Sequence, residues 1–84
     1  MSKTLVALRD VRDERNRQDE KWGEQNHENE TWMTILAEEV GELAQEILRD
    51  RFGKNSHYAE MRAEAIQVAA VAVAFVECID RRYI

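Results

Sequence analysis

The sequence predicts an all-α fold: a small single domain of three main helices, closing a four-helix-bundle-like core by homo-oligomerisation. Two observations point there. The chain has no proline, and few β-branched residues stand outside helical spacing. Its three glycines are isolated, and two of them, Gly23 and Gly53, fall where helical patterns stop. At 84 residues it is near the size where one core only just suffices.

The first helix is predicted from Ser2, a good N-cap, to about Trp22, ending at Gly23. Its apolar positions, Leu5, Leu8 and Val11, form a narrow stripe that fades into charge. "GEQNHENE" is a polar connection with no period. Thr31 is the predicted cap of a second helix that runs to about Phe52 and stops at Gly53. Asn55 or Ser56 then caps a third helix from about His57 to Arg82.

The third helix carries the expectation about assembly. "AIQVAAVAVAFVECI" has only Gln67 and Glu77 as polar groups, and a helix apolar on nearly every side must be covered on nearly every side. Two other helices, one poorly amphipathic, cannot do that within one chain. A second copy is the simplest cover, which predicts a dimer or a tetramer. Alanines 63, 65, 69, 70, 72 and 74 permit close helix approach.

Twelve basic and seventeen acidic side chains leave a formal charge of −5. That sign disfavours binding to a nucleic-acid polymer and suits a chain that collects divalent cations. The lone Cys78 rules out an internal disulfide framework and a cysteine-rich zinc site. "VAAVAVAFV" is too short to span a bilayer, and the polar N-terminal segment lacks the apolar run of a signal peptide. The expectation is a soluble cytoplasmic protein without a membrane partner.

Glutamates stand where such a core would put leucines. On a helical wheel of the second helix, Trp32, Ile35, Leu36, Val40, Leu43 and Ile47 share one arc. Glu39 falls inside that arc, Glu42 and Glu46 fall at its border, and Glu38 lies further out. On the third helix Glu64 falls among Val68, Val71, Phe75, Cys78 and Ile79, flanked by Glu60 and Gln67. Carboxylates that meet in a core repel one another or take up protons, so something positive belongs between them. Either arginines reach in, or a hard divalent cation does. Glu20, Glu24, Glu28 and Glu30 read as ordinary solvated side chains.

"EEVGE", Glu38 to Glu42, resembles the EExxE motif of the MazG-like nucleotide pyrophosphohydrolases, an all-α superfamily. "RQDEKWGEQNH" before it and Glu64-x-x-Gln67 after it extend the resemblance from about Arg17 to Ile79. EExxE alone is weak; the three segments in this order are more specific. The resemblance implies a Mg²⁺-dependent enzyme, with Mn²⁺ as the alternative ion, that cleaves nucleoside triphosphates to the monophosphate and pyrophosphate. It implies Glu39, Glu42, Glu64 and Gln67 as metal ligands, with Glu38 contacting a second metal or orienting the attacking water. Glu38, Glu39 and Glu42 are thereby the candidate catalytic residues. Gln67 departs from the family's ExxD pair. Its neutral amide weakens metal binding, Glu60 is the one-turn-away substitute, and a non-catalytic oligomerisation or regulatory module is the alternative function.

Trp22 is a candidate to stack on a nucleobase and His27 to bond its edge, both implied by the resemblance; their plain alternatives are a core cap and an ordinary loop histidine. Lys21 and Lys54, with Arg51 and Arg62, are candidates to meet phosphates. Cys78 lacks a basic neighbour and is no nucleophile. Asp80, Arg81 and Arg82 read as a solvated helix end, and Trp32 reads as packing. Gly41, costly in mid-helix, suggests close approach of a neighbouring helix or a ligand.

Overall fold

The computed structural model describes all 84 residues as three α-helices and no strand: α1 (Lys3–Trp22), α2 (Asn29–Phe52) and α3 (Tyr58–Tyr83). α1 begins as local chemistry dictates, with the Ser2 hydroxyl accepting the Leu5 N–H at 3.1 Å. It ends at Gly23, whose φ of 73° lies in the left-handed region that favours glycine. α2 ends at Gly53, whose backbone is extended and where a Cβ would collide with the Arg49 carbonyl oxygen.

The start of α2 corrects the expectation of a Thr31 cap. The N–H groups of Thr31 and Trp32 both bond to the Glu28 carbonyl, at 3.0 and 3.1 Å, so the helix starts at Asn29 and Thr31 lies inside its first turn. At the head of α3 the N-cap is His57 rather than Asn55 or Ser56. The Asp50 carboxylate accepts the His57 N–H at 2.9 Å, while the Ser56 hydroxyl accepts that of Tyr58 at 3.4 Å. At Gly41 no helix of this chain makes the close approach, since a Cβ there would meet nothing within 4 Å.

α3 is the central element, packed against both α1 and α2, which do not pack on each other. α2 and α3 form an antiparallel hairpin: Trp32 meets Cys78 and Ala74 at one end, and Glu46 meets His57 at the other. α1 runs in the same sense as α3, with Asp10 bonded to Arg62 and Gln18 to Gln67. An open groove therefore lies between α1 and α2, floored by α3.

The core is thin. Five residues are buried, namely Trp32, Ala70, Val71, Ala74 and Cys78. Trp32 anchors it, stacked on Phe75 at 5.6 Å and edged by the His27 ring at 4.9 Å. Of the apolar arc on α2, Ile35 and Leu36 pack on this core, whereas Val40 and Ile47 are 48% and 45% exposed. The radius of gyration is 14.3 Å, against about 12 Å for a compact domain of this length. No helix is long and apolar enough to cross a membrane.

Candidate metal centre and adjoining cleft

The antiparallel pairing of α2 and α3 brings Glu39 and Glu42, one turn apart on α2, opposite Glu64 on α3. One oxygen from each lies within 4.8 Å of the other two. Glu39 and Glu64 are half-buried and Glu42 is exposed, so the cluster opens to solvent on one side. Glu39 Oε2 and Glu64 Oε2 are buried and have no hydrogen-bond partner. Of the two ways to neutralise such a cluster, arginine is absent: no ion pair includes any of the three. The nearby cations are engaged elsewhere, Arg62 with Asp10, Arg17 with Glu14 and Arg49 with Glu46.

The electrostatic consequence is explicit. Burial, then the charges of Glu42 and Glu64, push the Glu39 carboxyl above the ordinary carboxylate range. Burial and the charges of Glu42 and Glu46 do the same for Glu64. Both shifts measure how poorly a negative charge is accommodated there without a cation. Ligand oxygens on one Mg²⁺ stand about 3 to 4 Å apart. Three carboxylates within 4.8 Å, two with unpartnered oxygens, fit a hard divalent ion after small side-chain rotations.

The other candidates are dispersed. Gln67 turns toward α1, where its Oε1 accepts from Gln18 Nε2 at 3.4 Å and its side chain helps hold Glu14 below the ordinary carboxylate range, after Arg17. Three carboxylates thus converge, and Gln67 lines the adjoining cleft together with Glu39. Glu38 is exposed next to Glu39, and its charge also raises that carboxyl. Glu60 is exposed on the first turn of α3. Lys54 lies in the α2–α3 turn, away from the groove.

Beside the cluster, the groove deepens into a cleft of about 230 Å³ whose walls include Glu39, Gln67, Gln18, Trp22, Trp32 and Gln25. Trp22 is 61% exposed, and the Lys21 ammonium covers one face of its ring at 4.8 Å. His27 lies elsewhere, edge-on against Trp32 with a buried, unpartnered Nε2. Past Trp32 and Ala74 a second cleft of about 310 Å³ carries the polar side chains of Arg15, Asp19, Glu77 and Arg81. Arg15 binds Glu77 through Nε at 2.9 Å and Gln18 through Nη1 at 2.9 Å. Sequence reasoning missed Gln18 and Gln25. Nothing marks Gln25 before folding, whereas Gln18 stands one helical turn after Glu14 and four residues before Trp22, on the side of α1 that faces α3.

Fold and site together define an all-helical protein with a three-carboxylate cluster at the mouth of an aromatic-walled cleft. No family model matches the chain, and neither a curated protein nor a solved structure matches it.

Proposed function

We propose that the protein is a Mg²⁺-dependent nucleoside triphosphate pyrophosphohydrolase of the MazG-like kind, working as a homo-oligomer on the cytoplasmic nucleotide pool. The observation that carries the reading is the convergence of Glu39, Glu42 and Glu64 with two unpartnered buried oxygens. Mg²⁺ or Mn²⁺ held by these three would neutralise the triphosphate and stabilise pyrophosphate as it leaves. The chain's own residues do the rest. The free face of Trp22 stacks the base, and the cleft walls around Gln18, Gln25 and Gln67 shield it from water. Glu38, exposed beside the cluster, accepts the proton of the attacking water. That water's oxygen bonds to the α-phosphorus, the bond to the bridging oxygen breaks, and the electron pair departs with pyrophosphate.

One observation favours the second reading, a nucleotide-binding regulatory module without hydrolysis. Gln67 faces Gln18 rather than the triad, so the site has three carboxylates and a lower charge than the family's pattern supplies. A single experiment separates the two. The protein is incubated with Mg²⁺ or Mn²⁺ and a panel of common and modified triphosphates, and pyrophosphate is measured. Activity that is lost in Glu39→Gln supports the enzyme. Triphosphate binding without pyrophosphate release supports the module, and neither binding nor release across the panel overturns both.

A further inference from the structure

Residues 23–28 join α1 to α2 without regular structure, and the carbonyls of such a segment need donors from elsewhere. The last turn of α3 supplies them. Arg81 donates to Asn26 Oδ1 from Nε at 3.1 Å and from Nη2 at 3.0 Å, and Nη2 also reaches the Gln25 carbonyl at 3.0 Å. Arg82 donates from Nη1 to the His27 carbonyl at 2.9 Å and from Nη2 to Glu28 Oε1 at 3.2 Å. The Cys78 thiol points at the same His27 carbonyl, 4.0 Å away. The two arginine side chains keep only 35% and 31% of their surface exposed. Both residues are exposed, as a solvated helix end would be, but their guanidinium groups are bonded to the connector rather than free.

What they hold is the wall of the groove. Gln25 lines both clefts. His27 lies edge-on to Trp32, which also lines both clefts. We propose that Arg81 and Arg82 are positioning residues: from the end of α3 they fix the 23–28 connector as a wall of the nucleotide cleft. They set triphosphate affinity without touching the carboxylate triad. The proposal rests on the nucleotide reading of that cleft. Its physical basis is preorganisation. An unheld connector has to be ordered at the moment of binding, and that cost is subtracted from affinity. The planar guanidinium fork suits the task, because Arg81 spans a backbone carbonyl and a side-chain amide at once, which a single ammonium does less well.

The test uses the full chain with Arg81→Ala/Arg82→Ala and, in parallel, Arg81→Lys/Arg82→Lys. Hydrogen exchange of residues 24–28 reads the connector. Acrylamide quenching in a Trp22→Phe background reads the cover over Trp32. Mn²⁺ affinity reads the triad, and dATP, dGTP, dCTP and dTTP, each with Mn²⁺, read the cleft. In the alanine variant the connector exchanges faster, Trp32 is quenched more strongly and Mn²⁺ affinity is unchanged. The best-bound triphosphate weakens about tenfold, the low end of what loosening the support behind a site costs, and the lysine variant recovers part of the loss. Should the double alanine variant unfold, Arg82→Ala alone carries the same comparison with the Arg81 contacts intact. Unchanged exchange and quenching overturn the proposal, as does a loosened connector with wild-type triphosphate affinity. Wild-type protein that binds none of the four overturns the nucleotide reading instead, while exchange and quenching still decide whether the arginines hold the connector.

Discussion

Glu39 and Glu64 hold their protons more tightly in the folded protein than in the unfolded chain, where carboxyls titrate near about 4.3. Both are raised first by burial and then by neighbouring carboxylates. The folded state therefore binds more protons than the unfolded state above that pH, and stability falls as pH climbs through the raised values. Asp10 and Glu14 act in the opposite sense, held below the ordinary range chiefly by hydrogen bonds from Arg62 and from Arg17. Their contribution is complete above the ordinary range and is lost as pH falls through their lowered values. With a chelator present, thermal stability is expected to fall as pH rises from the ordinary carboxylate range through the raised values of Glu39 and Glu64. Mn²⁺ competes with protons for the triad, so it should raise the melting temperature clearly at pH 7.5 and little at pH 5. A melting temperature that climbs steadily from pH 5 to 8 in chelator, with no response to Mn²⁺, would show that the carboxylates are not strained by one another. At this scale the sequence was informative where periodicity decides. Glu39 and Glu64 fall in apolar arcs whichever helix covers them. The direction of Gln67 was not legible, because Gln18, forty-nine residues away in the chain, draws the amide toward α1.

Helix ends show the same division between local and distant causes. Ser2, Gly23 and Gly53 act through atoms within a turn of themselves, and their roles follow from residue type. The start of α2 does not, because its first carbonyl belongs to Glu28, whose side chain is bonded by Arg82 from the far end of α3. Thr31 has the composition of a cap and none of its geometry. Two substitutions expose the difference. Ser2→Ala removes the hydroxyl that accepts the Leu5 N–H and should cost about 1 kcal/mol of α1 stability. Thr31→Ala should stay within about 0.5 kcal/mol of wild type, as read by urea melts followed by circular dichroism. A Thr31→Ala loss as large as that at Ser2 would restore Thr31 as the cap. The role of Arg81 and Arg82 had no counterpart in the sequence for a related reason: a basic helix end is ordinary, and only the fold lays a loop with open carbonyls beside it.

At the scale of the whole molecule, the thin core is the governing fact. A chain of this length that buries five residues has little apolar contact to set against the entropy of ordering three helices. Exposed apolar side chains occur on every helix, among them Leu5 and Leu8 on α1, Leu48 and Phe52 on α2, and Val73 and Val76 on α3. Val73 and Val76 sit in the most apolar stretch, three residues apart, and so share a face of the helix. We infer that a second copy covers this face, in keeping with a core completed by association. If so, folding and assembly are one equilibrium, and the melting temperature depends on protein concentration. Light scattering behind size exclusion should find a dimer or tetramer at micromolar concentration, and dilution should lower the melting temperature. Val76→Asp places a charge in the contact and should yield monomer that is largely unfolded. Glu38→Gln, on an exposed turn of α2, should leave the assembly intact. A wild-type monomer that melts cooperatively at a concentration-independent temperature would overturn this account. It would also require the five-residue core and the ion pairs of α1 with α3, Asp10 with Arg62 and Glu77 with Arg15, to hold the fold unaided. Solvent screens exposed or partly exposed pairs of that kind, so they add little to the core.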